Sequence, residues 1–251
     1  MLGLLQRWLP PNASAHGQAL DEMTALVHWL MAILFVVWGV FFVVALIKFR
    51  AKANPKADYA GVKSHFSTWG EVGVAIFEVV LLVGFAIPAW ARWVTPHPEE
   101  EAPLVVRVIG EQFAWNVHYA GDDGVFGRTV PELVDPTNPV GLDPEDPAGA
   151  DDITTINQLH LPVNRPVTVR LSTKDVIHSF SLPVMRVKQD AIPGQEIPVH
   201  FTPIATNDGE GWEIACAQLC GLGHYRMRGY LTVHPEGGFE AWLAQQKAKK
   251  G

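Results

Sequence analysis

The chain of 251 residues is 48% hydrophobic and 18% charged, and its formal net charge at pH 7 is -7. This length accommodates one large domain or two ordinary ones, with ample apolar material for a core. The acidic surface argues against nucleic acid as a partner. It suits either solvated loops or the electrostatic docking of a basic protein.

The first predicted element is an apolar helix that begins at Leu26 and ends at Ile47. These 22 residues contain no Asp, Glu, Lys or Arg, and as a helix they would extend about 33 Å, which is enough to cross a bilayer. The apolar part of a cleaved signal peptide is shorter and follows a basic start, whereas this run follows Asp21 and Glu22. The run therefore predicts a transmembrane helix, with residues 1–25 as an outer N-terminal segment.

A second apolar run extends from Val72 to Trp90 and contains a single charged residue, Glu78, and a proline near its end. Its length and composition favour a second membrane helix over residues 72–94. A buried helix of a soluble protein would have a similar pattern and is the alternative. The two membrane helices would form a hairpin over residues 26–94.

Charge in the short loop between the two runs predicts their orientation. The loop contains Asp58 and five cationic residues, namely Lys48, Arg50, Lys52, Lys56 and Lys63, whereas the flanking sides carry mainly Arg7 and Arg92. Short cytoplasmic loops are enriched in Lys and Arg. The loop is therefore predicted to be cytoplasmic, which places both termini and the large C-terminal segment on the periplasmic side of a bacterial inner membrane.

After a linker over residues 95–103, the sequence changes from continuous hydrophobicity to short alternating runs. Seven runs have the length and composition of strands, over residues 104–110, 113–119, 167–172, 178–182, 197–202, 212–216 and 229–234. Short strands separated by Gly, Pro, Asn and Asp are typical of a β-sandwich or a barrel. The pattern predicts an all-β domain over residues 103–236.

Two segments lie outside this strand pattern. Residues 121–152 are rich in Pro, Gly and Asp and are predicted to form a long surface insertion without regular structure. Residues 237–251 form the C-terminal tail. An amphipathic helix in this tail, over residues 239–249, is predicted to pack on the sandwich through Phe239 and Trp242.

Both cysteines of the chain lie in the stretch C-A-Q-L-C-G-L-G-H-Y-R-M, from Cys216 to Met227. A disulfide between Cys216 and Cys220 is the alternative for an exported domain, but it would leave His224 and Met227 unexplained. The spacing differs from that of zinc knuckles, and a thioether is a soft ligand that suits copper better than zinc. The stretch therefore favours a metal site, and copper over zinc.

A copper site formed by these side chains needs a further ligand from an earlier strand. His178 is the best candidate because it opens H-S-F-S-L-P at the tip of a predicted strand, where it can face a pocket built by loops. His160 and His200 are the alternatives. In V-H-F around His200, strand alternation directs the imidazole away from the side of its apolar neighbours and toward solvent.

Three motifs occur together behind the two predicted membrane helices: H-S-F-S-L-P, V-K-Q-D-A-I-P-G over residues 187–194, and C-A-Q-L-C-G-L-G-H-Y-R-M. Their combination, which covers nearly the whole chain, resembles subunit II of the haem-copper cytochrome c oxidases. The resemblance implies a cupredoxin-like sandwich with a binuclear copper centre, CuA, in which both cysteine sulfurs bridge the two coppers. The ligands implied by position are His178, Cys216, Gln218 through its backbone carbonyl, Cys220, His224 and Met227.

The resemblance also implies a function in electron transport at the outer membrane face. The copper centre would accept electrons from cytochrome c or another c-type haem donor, in solution or within a supercomplex. It would pass them to haem in subunit I for oxygen reduction coupled to proton pumping. The chain would thus be one subunit of an oxidase and not catalytic alone, with subunit I, other oxidase subunits and membrane lipid as its partners. The alternatives are a CuA-bearing subunit of a nitric oxide reductase and a membrane-anchored copper carrier.

Two features depart from the family pattern. Gln218 replaces the commoner glutamate, which keeps a backbone carbonyl for copper but removes a carboxylate that helps to bind magnesium near subunit I. The stretch E-Q-F-A-W-N-V-H-Y is similar to the aromatic stretch through which electrons enter in the family. Phe113 replaces its usual first tryptophan, and Trp115 keeps the second. Both are candidates for electron entry, with packing in the sandwich core as the alternative.

Two acidic residues of the second membrane segment are candidates for a proton path. Glu78 lies inside the apolar run, where an ionisable side chain is costly and is a functional candidate by default. Glu71 occupies a position similar to that of the family glutamate near the inner mouth of a proton path. For Glu71, snorkelling of the side chain toward the membrane interface is the alternative.

Overall fold

The structure is a computed structural model that describes residues 7–56, 59–61, 64–94, 103–207 and 209–250. The chain divides into two compact units, one formed by Met1–His28 with Glu101–Gly251 and the other by Trp29–Glu100. Some features of the sequence prediction lie outside the described residues, namely Asp58, Lys63, the side chain of Arg92 and most of the linker over residues 95–103.

The two predicted membrane segments are helical. Helix α1 extends over Gly17–Lys48 and helix α2 over Phe66–Leu81. A π-helical turn, Leu82–Ala86, leads from α2 into the short helix α3, Ile87–Val94. Two spans, Gly17–Lys48 and Phe66–Ala86, are long and apolar enough to cross a membrane.

Both helices begin before the apolar runs that predict them, at Gly17 instead of residue 26 and at Phe66 instead of residue 72. The additional turns of α1 bury one face, because only Gly17, Asp21 and Ala25 are buried in this helix and they recur every fourth residue. A hydropathy run detects the apolar part of a helix only, so it places the start of α1 too late.

The first of the two compact units contains ten strands among its described residues. They are β1 Leu104–Glu111, β2 Ala114–Tyr119, β3 Ile153–Ile156, β4 Gln158–Pro162, β5 Val167–Thr173, β6 His178–Leu182, β7 Val187–Ala191, β8 Ile197–Phe201, β9 Trp212–Cys216 and β10 Arg228–His234. These strands form two five-stranded sheets with the orders β3-β2-β1-β5-β8 and β4-β10-β9-β6-β7. The predicted β-sandwich is therefore confirmed.

Apolar side chains at alternate strand positions fill the space between the two sheets. In β1, Val106 and Val108 are fully buried, and their neighbours are partly exposed. Trp115 from one sheet meets Phe180 from the other, with their ring centroids 5.5 Å apart in an edge-to-face arrangement. Aromatic packing thus joins the sheets next to the tip of β6.

Three of the ten strands, β3, β4 and β7, are absent from the sequence prediction. Strands β3 and β4 are short, and only Asn157, with a φ of 58°, separates them. Strand β7 reads V-K-Q-D-A and lies at the edge of its sheet, so that its polar middle residues face solvent. Strand β7 therefore lacks the apolar alternation from which a strand is predicted, whereas β4 has it only in the short run Q-L-H-L-P.

The prediction of an irregular insertion over residues 121–152 is wrong in part. The segment contains two 3-10 turns, Pro131–Leu133 and Pro147–Gly149, and a β-bridge between Thr129 and Leu142. Aspartates order the backbone around them. For example, the buried carboxylate of Asp152 accepts hydrogen bonds from the amides of Gly121 and Gly127. An acidic composition is typical of a solvated loop, but here the carboxylates accept hydrogen bonds from the backbone of the segment.

The C-terminal helix α4, Gly238–Lys250, packs on the sandwich as its amphipathic pattern predicts. Phe239 and Trp242 are buried. The Trp242 ring lies 4.1 Å from the His160 ring, centroid to centroid, in a stacked arrangement, and 5.2 Å from the Tyr119 ring. The helix therefore covers one part of the sandwich with aromatic contacts.

Candidate metal centre

The pairing of β6 with β9 brings His178 to the cysteine loop. The two strands are antiparallel, and Phe180 on β6 lies opposite Cys216 on β9. By this register, His178 lies opposite residue 218, two positions beyond the end of β9. The amide of Ala217 donates a hydrogen bond of 2.9 Å to the carbonyl of Ser179, which continues the ladder into the loop.

Five side chains converge beside the tip of β6, and each lies within 3.9 Å of at least one other. The Sγ atom of Cys216 lies 3.9 Å from His178 Nδ1 and 3.8 Å from Cys220 Sγ. The Sγ atom of Cys220 lies 3.6 Å from His224 Nδ1 and 3.7 Å from Met227 Sδ. The backbone carbonyl of Gln218 completes the set, with its oxygen 3.2 Å from Cys216 Sγ.

The two cysteines do not form a disulfide in the structure. Both are buried and free. Their sulfurs are 3.8 Å apart, whereas a disulfide bond is about 2.05 Å long. Potential metal-ligand atoms of His178, Cys216 and Cys220 lie within 4.8 Å of one another, so the geometry suits a metal site better than a cross-link.

Deprotonation of the Cys220 thiol needs a compensating positive charge. Burial, followed by the hydrogen bond and the negative charge of Cys216, raises the pKa of the Cys220 thiol to about 11. A thiol in such an environment stays protonated at neutral pH unless a cation takes the place of the proton. The pair of buried sulfurs therefore suits a bound metal ion.

A carboxylate orients the imidazole of His178. Its Nε2 lies 2.8 Å from Asp175 Oδ1, so a proton on Nε2 leaves the lone pair of Nδ1 directed to the sulfurs. Burial opposes ionisation of Asp175, but hydrogen bonds from His178 and from the amides of Gln112 and Val176 outweigh it and lower the pKa of this carboxyl. Asp175 is absent from the predicted site, although its carboxylate lies only three residues before His178 in the sequence.

Gln112 connects the two halves of the site and was also missed. Its amide donates a 2.7 Å hydrogen bond to Asp175 Oδ2, and its side-chain Nε2 donates one of 2.7 Å to the carbonyl of Cys220. One residue at the end of β1 thus holds both the carboxylate that orients His178 and the backbone of the cysteine loop. Nothing in the local sequence around Gln112 indicates such a bridge.

The ring of Phe113 packs on the glycines of the loop. A Cβ atom at Gly223 would overlap the Phe113 ring, and one at Gly221 would lie 3.2 Å from it. Gly221 also has a φ of 134°, which side chains rarely tolerate. The glycines therefore allow an aromatic ring to lie directly against the loop that carries the cysteines.

The two alternative histidines lie in other environments. His160 Nδ1 is 2.8 Å from His234 Nε2, and burial together with the charge of His234 lowers the pKa of His160 to about 4. His200 Nδ1 lies 3.1 Å from the hydroxyl of Thr168. Only His178, of the three candidates, is brought to the cysteine loop in the described part of the chain.

The other site candidates are more dispersed. Trp115 is buried, with its ring centroid 6.0 Å from that of His178. Phe113 is half-buried, and the guanidinium of Arg226 lies 5.9 Å from its ring. Glu71 and Glu78 both lie on α2 with exposed side chains, and their proposed roles in a proton path stay predictions.

The sequence of this chain is similar to those of known proteins. A family model described as "Cytochrome C oxidase subunit II, periplasmic domain" matches residues 104–232. The alternative cytochrome c oxidase subunit 2 of Bradyrhizobium diazoefficiens is 31% identical, over 97% of this chain and 86% of that protein. The chain belongs to the cytochrome c oxidase subunit II family. The matched residues span β1 to β10, so the predicted family and the cupredoxin-like fold are both confirmed.

Other similar proteins are also named as subunit II of cytochrome c oxidase. The cytochrome c oxidase subunit 2 of Cereibacter sphaeroides is 27% identical, over 94% of this chain and 81% of that protein. Among solved structures, the periplasmic domain of subunit II of cytochrome oxidase from Bradyrhizobium japonicum is 28% identical. The superposition covers 60% of this chain and 98% of the Bradyrhizobium japonicum chain, with a TM-score of 0.43.

Membership of the subunit II family makes this chain a subunit of a haem-copper oxidase with a copper-binding domain. The residues present fit copper, because thiolate, thioether and imidazole are ligands that select it. The loop also carries apolar side chains that a subunit of a complex would bury. Leu219 is 75% exposed, Leu222 98% and Tyr225 83%, and an exposed apolar cluster of this kind marks an interaction surface.

Removal of the Gln112 bridge tests whether it stabilises the metal site. In Gln112→Leu the backbone hydrogen bond to Asp175 remains, but the hydrogen bond to the Cys220 carbonyl is lost. We expect copper release to a chelator to become roughly tenfold faster, the usual size of an outer-shell effect on a metal site. The measurement is the rate of loss of the copper absorption band in the full chain.

Gln158→Leu is the matched control, because Gln158 is exposed on β4 away from the loop. We expect it to release copper at the wild-type rate. Equal release rates in Gln112→Leu and in the wild type would show that the bridge does not stabilise the site.

Proposed function

We propose that this subunit carries a binuclear CuA centre that accepts electrons from a c-type haem donor and passes them to haem in subunit I. The proposal depends on one observation, which is that each buried thiol has its own imidazole. His178 Nδ1 lies 3.9 Å from Cys216 Sγ, and His224 Nδ1 lies 3.6 Å from Cys220 Sγ. Two thiol–imidazole pairs that meet through their sulfurs supply ligands for a pair of metal ions.

Two further electron-pair donor groups are divided between the two thiol–imidazole pairs. The carbonyl of Gln218 is close to Cys216 and the thioether of Met227 is close to Cys220, so each sulfur has a further weak donor beside it. When bound, a copper pair would supply one-electron redox chemistry, with the electron shared across both thiolates. The chain holds the ligands in place through Asp175 and Gln112, which favours a small structural change on electron transfer.

Of the two candidates for electron entry, Phe113 and Trp115, the structure favours Phe113. Phe113 lies half-buried against the cysteine loop, where a docked donor could approach its ring. Trp115 is fully buried and contacts both His178 and Phe180. Its position supports a role in the core of the sandwich, so we assign the entry position to Phe113.

The proposed topology places both termini and the copper domain outside, with the loop between the helices in the cytoplasm of a bacterial inner membrane. The described part of this loop carries exposed Lys48, Arg50, Lys52 and Lys56, as short cytoplasmic loops do.

In sealed vesicles, an added donor protein that cannot cross the bilayer should reduce copper only where the copper domain faces outward.

A copper carrier is a weaker candidate for this site. His178, Cys216 and Cys220 are buried, and hydrogen bonds hold both the histidine and the loop. Rapid exchange of metal needs exposed, mobile ligands, which these residues are not. A nitric oxide reductase subunit is also less favoured, because the named relatives are subunits of cytochrome c oxidases.

Electron acceptance in the purified oxidase complex tests the proposal. After rapid mixing with a reduced c-type cytochrome, His178→Ala should abolish fast oxidation of the donor, because one copper ligand is lost. Phe113→Ala should slow it by roughly tenfold while copper content stays unchanged, since a misplaced electron-entry group lowers the rate without loss of the site. The measurement is the stopped-flow absorbance of the donor haem.

His160→Ala is the control for His178→Ala, because both substitutions remove an imidazole from a half-buried or buried strand position. It should accept electrons at close to the wild-type rate. Fast donor oxidation in His178→Ala would contradict the copper proposal, and an unchanged rate in Phe113→Ala would remove Phe113 from the entry path alone.

We further propose that Glu71 takes part in proton uptake from the cytoplasmic side. Its substitution by glutamine keeps the shape of the side chain but removes the group that exchanges protons. Glu71→Gln should therefore lower steady-state oxygen consumption by roughly tenfold or more, in line with the loss of a proton-transfer group. Electron arrival at copper should not change.

The same assay in Glu78→Gln separates the two acidic residues. Glu78 lies two helical turns from Glu71 on α2, and a second slow variant would assign both residues to the path. Wild-type oxygen consumption in Glu71→Gln would contradict the proposed role of Glu71.

A further inference from the structure

Arg186 occupies an unusual backbone position for a large residue. It follows the 3-10 turn Pro183–Met185, which joins β6 to β7, and has a φ of 55° and a ψ of 31°. This left-handed conformation is strained for a residue with a Cβ atom, and glycine is the residue that adopts it without cost. The strain at Arg186 therefore points to a role for its side chain that glycine could not perform.

The side chain of Arg186 makes a bidentate ion pair with Asp21 on the first turns of α1. Its Nε donates to Asp21 Oδ1 at 2.7 Å, and its Nη2 donates to Asp21 Oδ2 at 3.0 Å. Only 11% of the Arg186 side chain and 10% of the Asp21 side chain are exposed. A largely buried fork of this kind is geometrically specific and much less screened than a surface pair.

The same guanidinium also binds the backbone that leads into α1. Its Nη2 donates to the carbonyl of Pro10 at 2.7 Å, and its Nη1 donates to the carbonyl of Pro183 at 2.7 Å. Arg186 therefore connects three pieces of chain: the N-terminal segment, the start of α1 and its own turn. All three belong to the same compact unit.

The N-terminal segment is paired with the sandwich around this arginine. Ala13 donates to the carbonyl of Val184 at 2.8 Å and accepts from the amide of Ile204 at 2.8 Å. The buried hydroxyl of Ser14 donates to the carbonyl of Met185 at 2.8 Å. The segment thus adds strand-like pairing to the turn that carries Arg186.

We propose that Arg186 is a positioning residue that fastens the first turns of α1 to the copper domain. This attachment holds the part of α1 that belongs to the same compact unit as the sandwich, residues 17–28. The turn that carries Arg186 directly follows β6, the strand that begins at His178 and pairs with Cys216. A role of Arg186 in electron passage from copper to subunit I rests on the proposed function. The attachment of α1 through Arg186 does not depend on that function.

Hydrogen exchange in the full chain, purified in mild detergent, tests the attachment. Arg186→Gly relieves the backbone strain and removes the ion pair, so the strands of the sandwich should keep their protection. The amides of residues 13–25 should exchange roughly tenfold faster or more, as expected when local opening loses charge-assisted hydrogen bonds. Unchanged exchange over residues 13–25 would overturn the proposal.

Asp21→Asn provides an independent variant that leaves the sandwich sequence intact. It should speed exchange in the same residues, and the double variant Asp21→Asn/Arg186→Gly should be less than additive because both substitutions break one ion pair. Fully additive effects would overturn the pairing. Arg165→Gln, at an exposed arginine in the turn between β4 and β5, is the control and should leave exchange unchanged.

The positioning role is measured in the assembled oxidase. In Arg186→Gly the copper content and the copper spectrum should stay as in the wild type, while electron passage from copper to haem should slow by roughly tenfold. A wild-type passage rate with faster exchange in residues 13–25 would overturn the positioning role. Loss of copper itself from the wild-type chain would instead refute the proposed function and leave the attachment standing.

Discussion

The antiparallel contact between β6 and β9 is the interaction on which the site depends. Phe180 lies opposite Cys216, and this single register sets an imidazole from one strand beside thiols from a loop that follows another. Because side chains alternate along a strand, a shift by one residue would direct His178 away from the sulfurs. The packing of Phe180 against Trp115 fixes the same register from the opposite sheet.

Around this contact, the chain stabilises an arrangement that is unfavourable without a metal. Two buried sulfurs lie 3.8 Å apart, and burial next to Cys216 raises the pKa of the Cys220 thiol to about 11. Asp175 and Gln112 hold the surrounding groups through directed hydrogen bonds, and the loop glycines let Phe113 pack against the backbone. The fold thus prepares positions that a copper pair would stabilise by replacing protons.

The sequence predicts those parts of the site that are local in the chain. The spacing from Cys216 to Met227 lies within one loop, and His178 is recognisable at the tip of a predicted strand. Contacts between distant residues are not predictable in this way: Arg186 and Asp21 are 165 positions apart, and Gln112 and Cys220 are 108 apart. Strand β7 also escapes prediction, because its polar edge residues carry no apolar alternation.

Copper counting combined with electron paramagnetic resonance of the purified chain distinguishes a copper pair from a single copper and from a disulfide. We expect a pair of coppers in each chain and, in the oxidised form, a signal in which one unpaired electron couples equally to both copper nuclei. A signal from one isolated copper would contradict the proposed copper pair. So would a folded chain that binds no copper and has Cys216 and Cys220 joined as a disulfide.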